Sequence, residues 1–508
     1  MLGTVVPMRL RKLVLWVLSI VLLGAVAFGA TIAYFFVTAK VDTIGEVDFD
    51  RPLAVPPLAK SSLDDRGRRV FELTMQEGST DLGRDRKTPT WGMNGSYLAP
   101  TLRASRGETV VARVTNTLDE ASTVHWHGMH LPARMDGGPH QMIDSGDTWS
   151  PTWQIRQPAA TLWYHPHPHG KTAEHVYRGL AGMFIVDDPA EATVQEQLPS
   201  SYGVDDVPVI VQDKSFDGSE LDEVKSVFSS TGILGDTVLV NGTPGPYLDV
   251  TTERVRLRLL NGSNARIYNF HLDDDRRFQQ VAGDGGLLPA PVRHTHLELS
   301  PGERAEVVVT LTPGERTVLR SAPLTSFNNR FGGTDDRLDV LELRAAEKLS
   351  PSPQVPSRLT SAPDLEAEDV VETRDFELTG TRINGAKMEM SRIDQTVTID
   401  TTERWRVHND SGSPHNFHVH DVQFVIESLD GKPPPAHLAG RKDTVFLPPH
   451  RKADLLVRFT DYTDPDTPYM FHCHLLLHED SGMMGQFVVV EPGEKAGRVE
   501  ATESGHHH

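Results

Sequence analysis

One long apolar run without a charge, residues 13–37, opens the chain, and beyond it the hydrophobic pattern changes period. As a helix at 1.5 Å per residue the run reaches about 37 Å, enough to cross a hydrocarbon core of about 30 Å. The rest shows little 3.6-residue periodicity. Short segments alternate apolar and polar residues, and Gly or Pro interrupts them about every 8–15 positions. This predicts an all-β body of sandwiches behind one N-terminal transmembrane or signal helix.

The alternating region repeats itself. Met93-Asn94-Gly95, Gly107-Glu108-Thr109-Val110 and Arg113-Val114-Thr115-Asn116 return as Val240-Asn241-Gly242, Thr252-Glu253-Arg254-Val255 and Arg258-Leu259-Leu260-Asn261. They return again as Ile383-Asn384-Gly385, Thr402-Glu403-Arg404-Trp405 and Arg406-Val407-His408-Asn409. Each copy is a turn, then a short alternating strand closed by Asn. Three copies agree with a chain of 508 residues at about 150 per domain. Proline-bearing linkers at 187–206 and 345–369 divide the chain. The expected order is a membrane anchor or signal segment over 1–40, a spacer over 41–65, domains over 66–190, 205–345 and 370–492, and a tail over 493–508.

Composition narrows the chemistry. A net charge of −20 argues against nucleic acid as a partner, since little would neutralise phosphate. The single Cys excludes a disulfide scaffold, an iron–sulfur protein and a Cys-rich zinc site. Arg9, Arg11 and Lys12 before the apolar run keep that end cytoplasmic and send the acidic body outside. A run this long favours a retained anchor, at the extracytoplasmic face of the cell envelope. Val37-Thr38-Ala39 before Lys40 resembles a cleavage site, so a secreted or periplasmic protein is the alternative. The ending His506-His507-His508 reads as a tag remnant or tail and is set aside.

Histidine is the outlier, 23 residues held largely in clusters: His125-x-His127, His165-x-His167, His415-x-x-His418-x-His420, and His472-Cys473-His474 followed by His478 and Met483. Nine residues after Asn116 stands the pair His125-x-His127 and nine after Asn409 the pair His418-x-His420, whereas after Asn261 only His271 stands between Phe270 and Leu272. Residues i and i+2 of a strand share a face, so each His-x-His presents two imidazoles together. Several pairs converging suit a polynuclear centre of a metal that favours imidazole. Cys473, His478, Met483 and a further His form the two-imidazole, thiolate and axial-thioether set of blue-copper sites. On a strand Cys473 faces one way while His472 and His474 face the other, so the backbone joins two sites.

His125-Trp126-His127-Gly128, Trp163-Tyr164-His165-Pro166-His167, His415-Asn416-Phe417-His418-Val419-His420 and His472-Cys473-His474-Leu475 together resemble, in order, the four copper motifs of the multicopper oxidases. The resemblance spans about residues 70–492. It implies three cupredoxin-like Greek-key β-sandwich domains, the middle one without copper ligands, and four copper ions: one type 1, one type 2 and two type 3. By motif position His415, Cys473, His478 and Met483 correspond to type 1, His125 and His418 to type 2, and His127, His165, His167, His420, His472 and His474 to type 3. The implied activity is oxidation of a reductant at type 1 through Cys473, with O2 reduced to water at the three-copper cluster. Gly137-Gly138-Pro139, His169-Gly170-Lys171-Thr172 and His478-Glu479-Asp480-Ser481-Gly482-Met483-Met484 are most similar to bacterial copper-efflux oxidases and laccase-like enzymes.

Asp136 takes the place of that group's acidic residue beside the oxygen site, implying proton supply; a turn-forming Asp is the plainer reading. Glu479 and Asp480 are either partners of His478 or the proton path, or exposed turn carboxylates. No Met-rich insertion lies between 347 and 381, and only Met388 and Met390 follow it, flanking Glu389. This favours a small phenolic donor over cuprous ion and copper detoxification. A copper-free envelope scaffold is the remote alternative, disfavoured by a full ligand set. The expected protein is a monomer whose partners are O2, a small-molecule or cuprous-ion electron donor, and the membrane.

Overall fold

The computed structural model describes residues 8–225 and 229–499; the His506–His508 ending lies outside them. The apolar run forms α1 (Met8–Thr38), and the described side chains of its stretch Leu15–Val37 are exposed, with a mean hydropathy of 2.3. Such a helix needs an apolar surround, as a signal sequence or a membrane anchor does. The remainder is all-β with a few short helices.

Three sandwiches follow one another, each closed around its own core. In the first, the sheet built on Arg69–Thr80 and Thr109–Asn116 covers the sheet of Leu102–Ser105, Ala160–Tyr164 and Gly182–Asp187, with Phe71, Val110, Leu162 and Phe184 between them. In the second, a seven-stranded sheet around Arg254–Asn261 packs on a six-stranded one through Leu257, Val307, Phe270 and Leu341. In the third, two five-stranded sheets enclose Phe376, Trp405, Phe417, Phe471 and Phe487.

The sequence repeat is a repeat of hydrogen bonds. Asn94, Asn241 and Asn384 all stand at positive φ (56°, 51° and 51°), where a short amide side chain is tolerated and a branched one is not. Each side-chain oxygen accepts from a backbone N–H of the unit's first long strand (Thr74, Ile210, Glu377), and each amide donates back two residues earlier. Asn116, Asn261 and Asn409 likewise donate to carbonyls, two each for the first two and three for Asn409, and each accepts from the N–H two residues on. Within each unit the first long strand pairs in parallel with the Asn-closed strand. In the middle unit Phe270 stacks on Tyr268 with ring centroids 5.2 Å apart, filling with carbon the place where the other units bring histidine.

The stretch 41–65 is irregular but pinned. Val41 N–H donates to Asp336, Arg51–Pro52 pairs with Pro246 and Tyr247, and Ser61–Leu63 pairs with the first long strand.

The outer units meet directly. Helix α2 (Thr172–Arg178) of the first packs on α3 (Leu476–Asp480) of the third, and Asp480 accepts from the N–H groups of Thr172 and Ala173. His130 of the first unit is held between Asp421 and Asp461 of the third, each about 2.9 Å away. Burial works against its charge, but the two carboxylates outweigh that and raise its pKa to about 9. Burial keeps Asp421 above the usual carboxylate range despite His130, so about 3 kcal/mol is a ceiling for the clamp. A raised folded pKa stabilises fully below the unfolded value of about 6.5 and is lost as pH climbs through about 9. His130→Gln should therefore flatten the fall in unfolding free energy between pH 6.5 and 9, as measured by denaturant titration.

Candidate metal centre

Eight imidazoles from the outer units are buried together where those units face each other. His125 and His165 exchange both backbone hydrogen bonds, 2.8 and 3.1 Å, an isolated bridge rather than a strand interior. The His-x-His pairs sit at strand ends: Pro166 cannot donate to a ladder, so the chain leaves the sheet after His165, and His420 lies just past the strand His415–Val419. Freed from strict alternation, members of a pair enter neighbouring groupings. His127, His165 and His474 form one, His167, His420 and His472 a second, and His125 lies with His418 and His420, the ring nitrogens of each within 4.8 Å.

Hydrogen bonding fixes which nitrogen each ring offers. His125 Nδ1 meets the Asp136 carbonyl at 3.0 Å and His418 Nδ1 the Asp443 carbonyl at 2.8 Å, so the Nδ1–H groups donate. The Nε2 of each is buried and has no hydrogen-bond partner among the described residues. His420 Nδ1 bonds Asp136 Oδ2 at 2.7 Å and His472 Nδ1 the Cys473 carbonyl at 3.2 Å. Their Nε2 lone pairs point at each other across 3.1 Å, with His167 Nε2 at 3.2 Å from that of His472. Bare lone pairs facing at that distance repel unless a cation lies among them, so the donor set fits metal ions. Burial lowers the pKa of His167 and His474 to about 3, which keeps the rings neutral and ligand-competent.

A second pole lies inside the third unit. Cys473 Sγ is 3.5 Å from His415 Nδ1 and 3.7 Å from His478 Nδ1, and the two nitrogens are 3.1 Å apart. His415 Nε2 is held by Ser411 Oγ and His478 Nε2 by the Ser230 carbonyl, which turns both Nδ1 atoms inward. Burial pushes the Cys473 thiol up to about 12, so a thiolate there requires a cation. Met483 is buried in the same core, and its carbonyl accepts from the Cys473 N–H. Cys473 joins this pole while His472 and His474 join the other two groupings.

The carboxylates are sorted by burial. Gly137 takes the left-handed turn, where a Cβ would lie 1.8 Å from the Val124 carbonyl, so the Asp136 side chain is left to hold His420. Glu479 is not an exposed turn residue. It is wholly buried with its oxygens 3.4 Å from His167 and 3.1 Å from His472, not against His478. Burial opposes its charge, but the surrounding His167, His472 and His474 hold it well below the usual carboxylate range. Burial and the neighbouring Glu479 push Asp480 up to about 7. His169 is exposed and outside the groupings, and Glu389 is exposed against Arg392.

Sequence reasoning missed Asp443 and the middle unit. Asp443 Oδ1 lies 3.1 Å from His127 Nε2, and Arg304 of the middle unit grips both carboxylate oxygens at 2.7 and 2.6 Å, all without solvent exposure. Two residues earlier Gly302 passes so close that a Cβ would stand 3.2 Å from the His474 ring. Ser300 Oγ and the Pro301 carbonyl accept from Asn416, whose own oxygen accepts from the His474 N–H. The only sequence signal was a pair of charged dipeptides, Glu303-Arg304 and Lys442-Asp443, opening otherwise apolar strands.

Fold and site together define a class: cupredoxin-like sandwiches with a histidine-rich metal centre between the first and third. The family model described as multicopper oxidase matches residues 74–191 and 352–493. The multicopper oxidase Mco of Staphylococcus haemolyticus is 37% identical over 440 residues, 85% of this chain and 91% of that protein. The cell division protein FtsP of Dickeya dadantii is 38% identical over 447 residues, 86% and 92% of the two chains. The structure of a laccase-like multicopper oxidase, CueO, from Ochrobactrum sp. is 35% identical with a TM-score of 0.78, covering 86% of this chain and all of that one. The chain belongs to the multicopper oxidase family, and the family implies copper binding.

Proposed function

We propose that the protein is an oxidase that takes single electrons from a phenolic or similar small donor and delivers four of them to O2, forming water. The observation that carries this is the tripeptide His472-Cys473-His474, whose central thiol lies with His415 and His478 while its flanking imidazoles enter the two histidine triads. On this reading His415, Cys473, His478 and Met483 hold a type 1 copper, His125 and His418 a type 2, and His127, His165, His167, His420, His472 and His474 a type 3 pair. The four coppers, when bound, supply one-electron acceptance at the first site and multi-electron reduction of O2 at the other three. Cys473 and its two neighbours provide a covalent path of a few bonds between the poles. Asp136 and Glu479 hold protons or orient rings beside the cluster, and Asp480, titrating near neutrality, relays toward Glu479.

Asp136→Asn keeps the side-chain size but removes the carboxylate from His420. Oxygen uptake should fall about 10–100-fold while anaerobic reduction of the type 1 site by donor is unchanged, measured by stopped flow.

The same reading makes the protein a monomer held by α1 on the outer face of the cell membrane. Two alternatives have their own supports. A cuprous-ion oxidase is favoured by the Met388 N–H donating to the Gly482 carbonyl at 2.8 Å, which puts the Met388–Met390 loop beside the turn bearing Met483. A copper-free role is suggested by likeness to FtsP, named a cell division protein. The test is copper content and oxygen uptake of the full-length protein with a phenol and with Cu(I). Four coppers per chain and uptake driven by the phenol support the proposal. Uptake confined to Cu(I) selects the metallo-oxidase, and no bound copper overturns both.

A further inference from the structure

The end of α1 is seated on the middle sandwich at a defined place. Arg330 Nε donates to the Phe36 carbonyl at 2.7 Å, and its guanidinium lies 4.5 Å over the Phe36 ring. Phe331 meets that ring edge to face at 6.1 Å. The span Leu15–Val37 covers about 34 Å, so its outer end coincides with the residue that Arg330 grips. An aromatic end with an arginine reaching over it is the composition of a membrane–water boundary. A leader destined for removal after Ala39 has no use for such a seat.

That seat adjoins the type 1 pole. Asn329, next to Arg330, donates to Ser230 Oγ at 3.3 Å, and the carbonyl of the exposed Ser230 accepts from His478 Nε2 at 2.7 Å. Behind Ser230 a cavity of about 230 Å³ is shared between Phe35 and Ala39 of the anchor end and Ser229, Gly232 and Leu234 of the same loop. Three hydrogen bonds, one Asn329–Arg330 peptide link and the residue Ser230 therefore separate the helix end at the bilayer surface from the imidazole through which electrons enter.

We propose that α1 is retained and holds the His478 face against the outer surface of the bilayer, so that the donor is a hydroquinone dissolved in the membrane. This rests on the oxidase reading above. Two hydroquinones each lose two electrons and two protons to become quinones, and one O2 takes up the four electrons and four protons to give two waters. Ser230 and Asn329 present the headgroup end of such a donor to His478, and its apolar tail stays in the lipid beside Phe35 and Phe36. The geometry brings the donor in along the membrane, where its effective concentration is high.

The experiment uses full-length, copper-loaded protein in phosphatidylethanolamine–phosphatidylglycerol vesicles. A fluorophore is placed at the exposed Asn328 through Asn328→Cys, Cys473 being buried, and quenched by headgroup-labelled lipid. Strong quenching is expected, and its loss in an Arg330→Ala, Phe331→Ala variant. The same variant should oxidise a long-tailed hydroquinone in the vesicles about tenfold more slowly or worse, with unchanged oxidation of a tailless hydroquinone in water. An unquenched label with α1 inserted, or a mature chain beginning at Lys40, overturns the proposal even if the soluble donor is oxidised. Quenching without oxygen uptake from either donor overturns the oxidase reading and with it the donor class.

Discussion

On the proposed oxidase reading, Cys473→Ser is expected to fold, to retain the three-copper cluster, and to lose both blue absorption and turnover. The substitution is nearly isosteric inside a packed core of Phe417, Phe471 and Phe487, so little volume changes. What changes is the donor. A serine hydroxyl does not ionise in a site where burial already pushes a thiol up to about 12, and a hard oxygen is a poor match for a copper site built on soft thiolate. His472 and His474 keep their own hydrogen bonds, the first to the Cys473 carbonyl and the second through its N–H to Asn416, and both survive the exchange of sulfur for oxygen. Copper should fall from four to three per chain and oxygen uptake to background. A variant that keeps full turnover would sink the assignment of Cys473 as the entry ligand and bridge.

Arg304→Met is the second large effect, and it comes from the unit that carries no histidine site. Arg304 is unexposed and donates to both oxygens of Asp443 and to the carbonyls of Thr161, Gly302 and Asp284. Removing the guanidinium leaves the Asp443 carboxylate buried and uncompensated, a loss of about 3–5 kcal/mol of stability. Asp443 holds His127 by its side chain and His418 by its carbonyl, so both rings lose their fixed orientation. Copper in the cluster should be held about 10–100-fold more weakly, read by chelator competition, while type 1 absorption is unchanged. Arg304→Lys should restore part of the affinity, since one ammonium replaces a two-pronged grip. Adding Asp443→Asn to Arg304→Met should recover stability but not copper affinity, because it removes the stranded charge without restoring the orienting carboxylate.

Much of the site was legible in the chain because its signals are short-range. His-x-His and His-Cys-His place several ligands within three residues, and the Asn repeats mark where each cluster falls relative to a strand. The burial of Glu479 was not legible. Between His478 and Asp480 it reads as a turn carboxylate, and only the packing of α3 on α2 turns it inward toward His167, 312 positions away. Asp443 and Arg304 were invisible for a similar reason: a charged residue opening an apolar strand carries no mark of what it will meet.

Local chemistry therefore settled the all-β alternation, the threefold repeat and the apolar helix, and singled out the candidate ring and sulfur donors, because periodicity and motif spacing are written within a few residues. How those donors are divided among sites, which ring nitrogen each offers, and the bracing of the centre by a sandwich without histidine ligands came from the packing of three units. Several of those contacts, His420 to Asp136 and Arg304 to Asp443 among them, join residues more than a hundred positions apart, and no property of either partner alone specifies them.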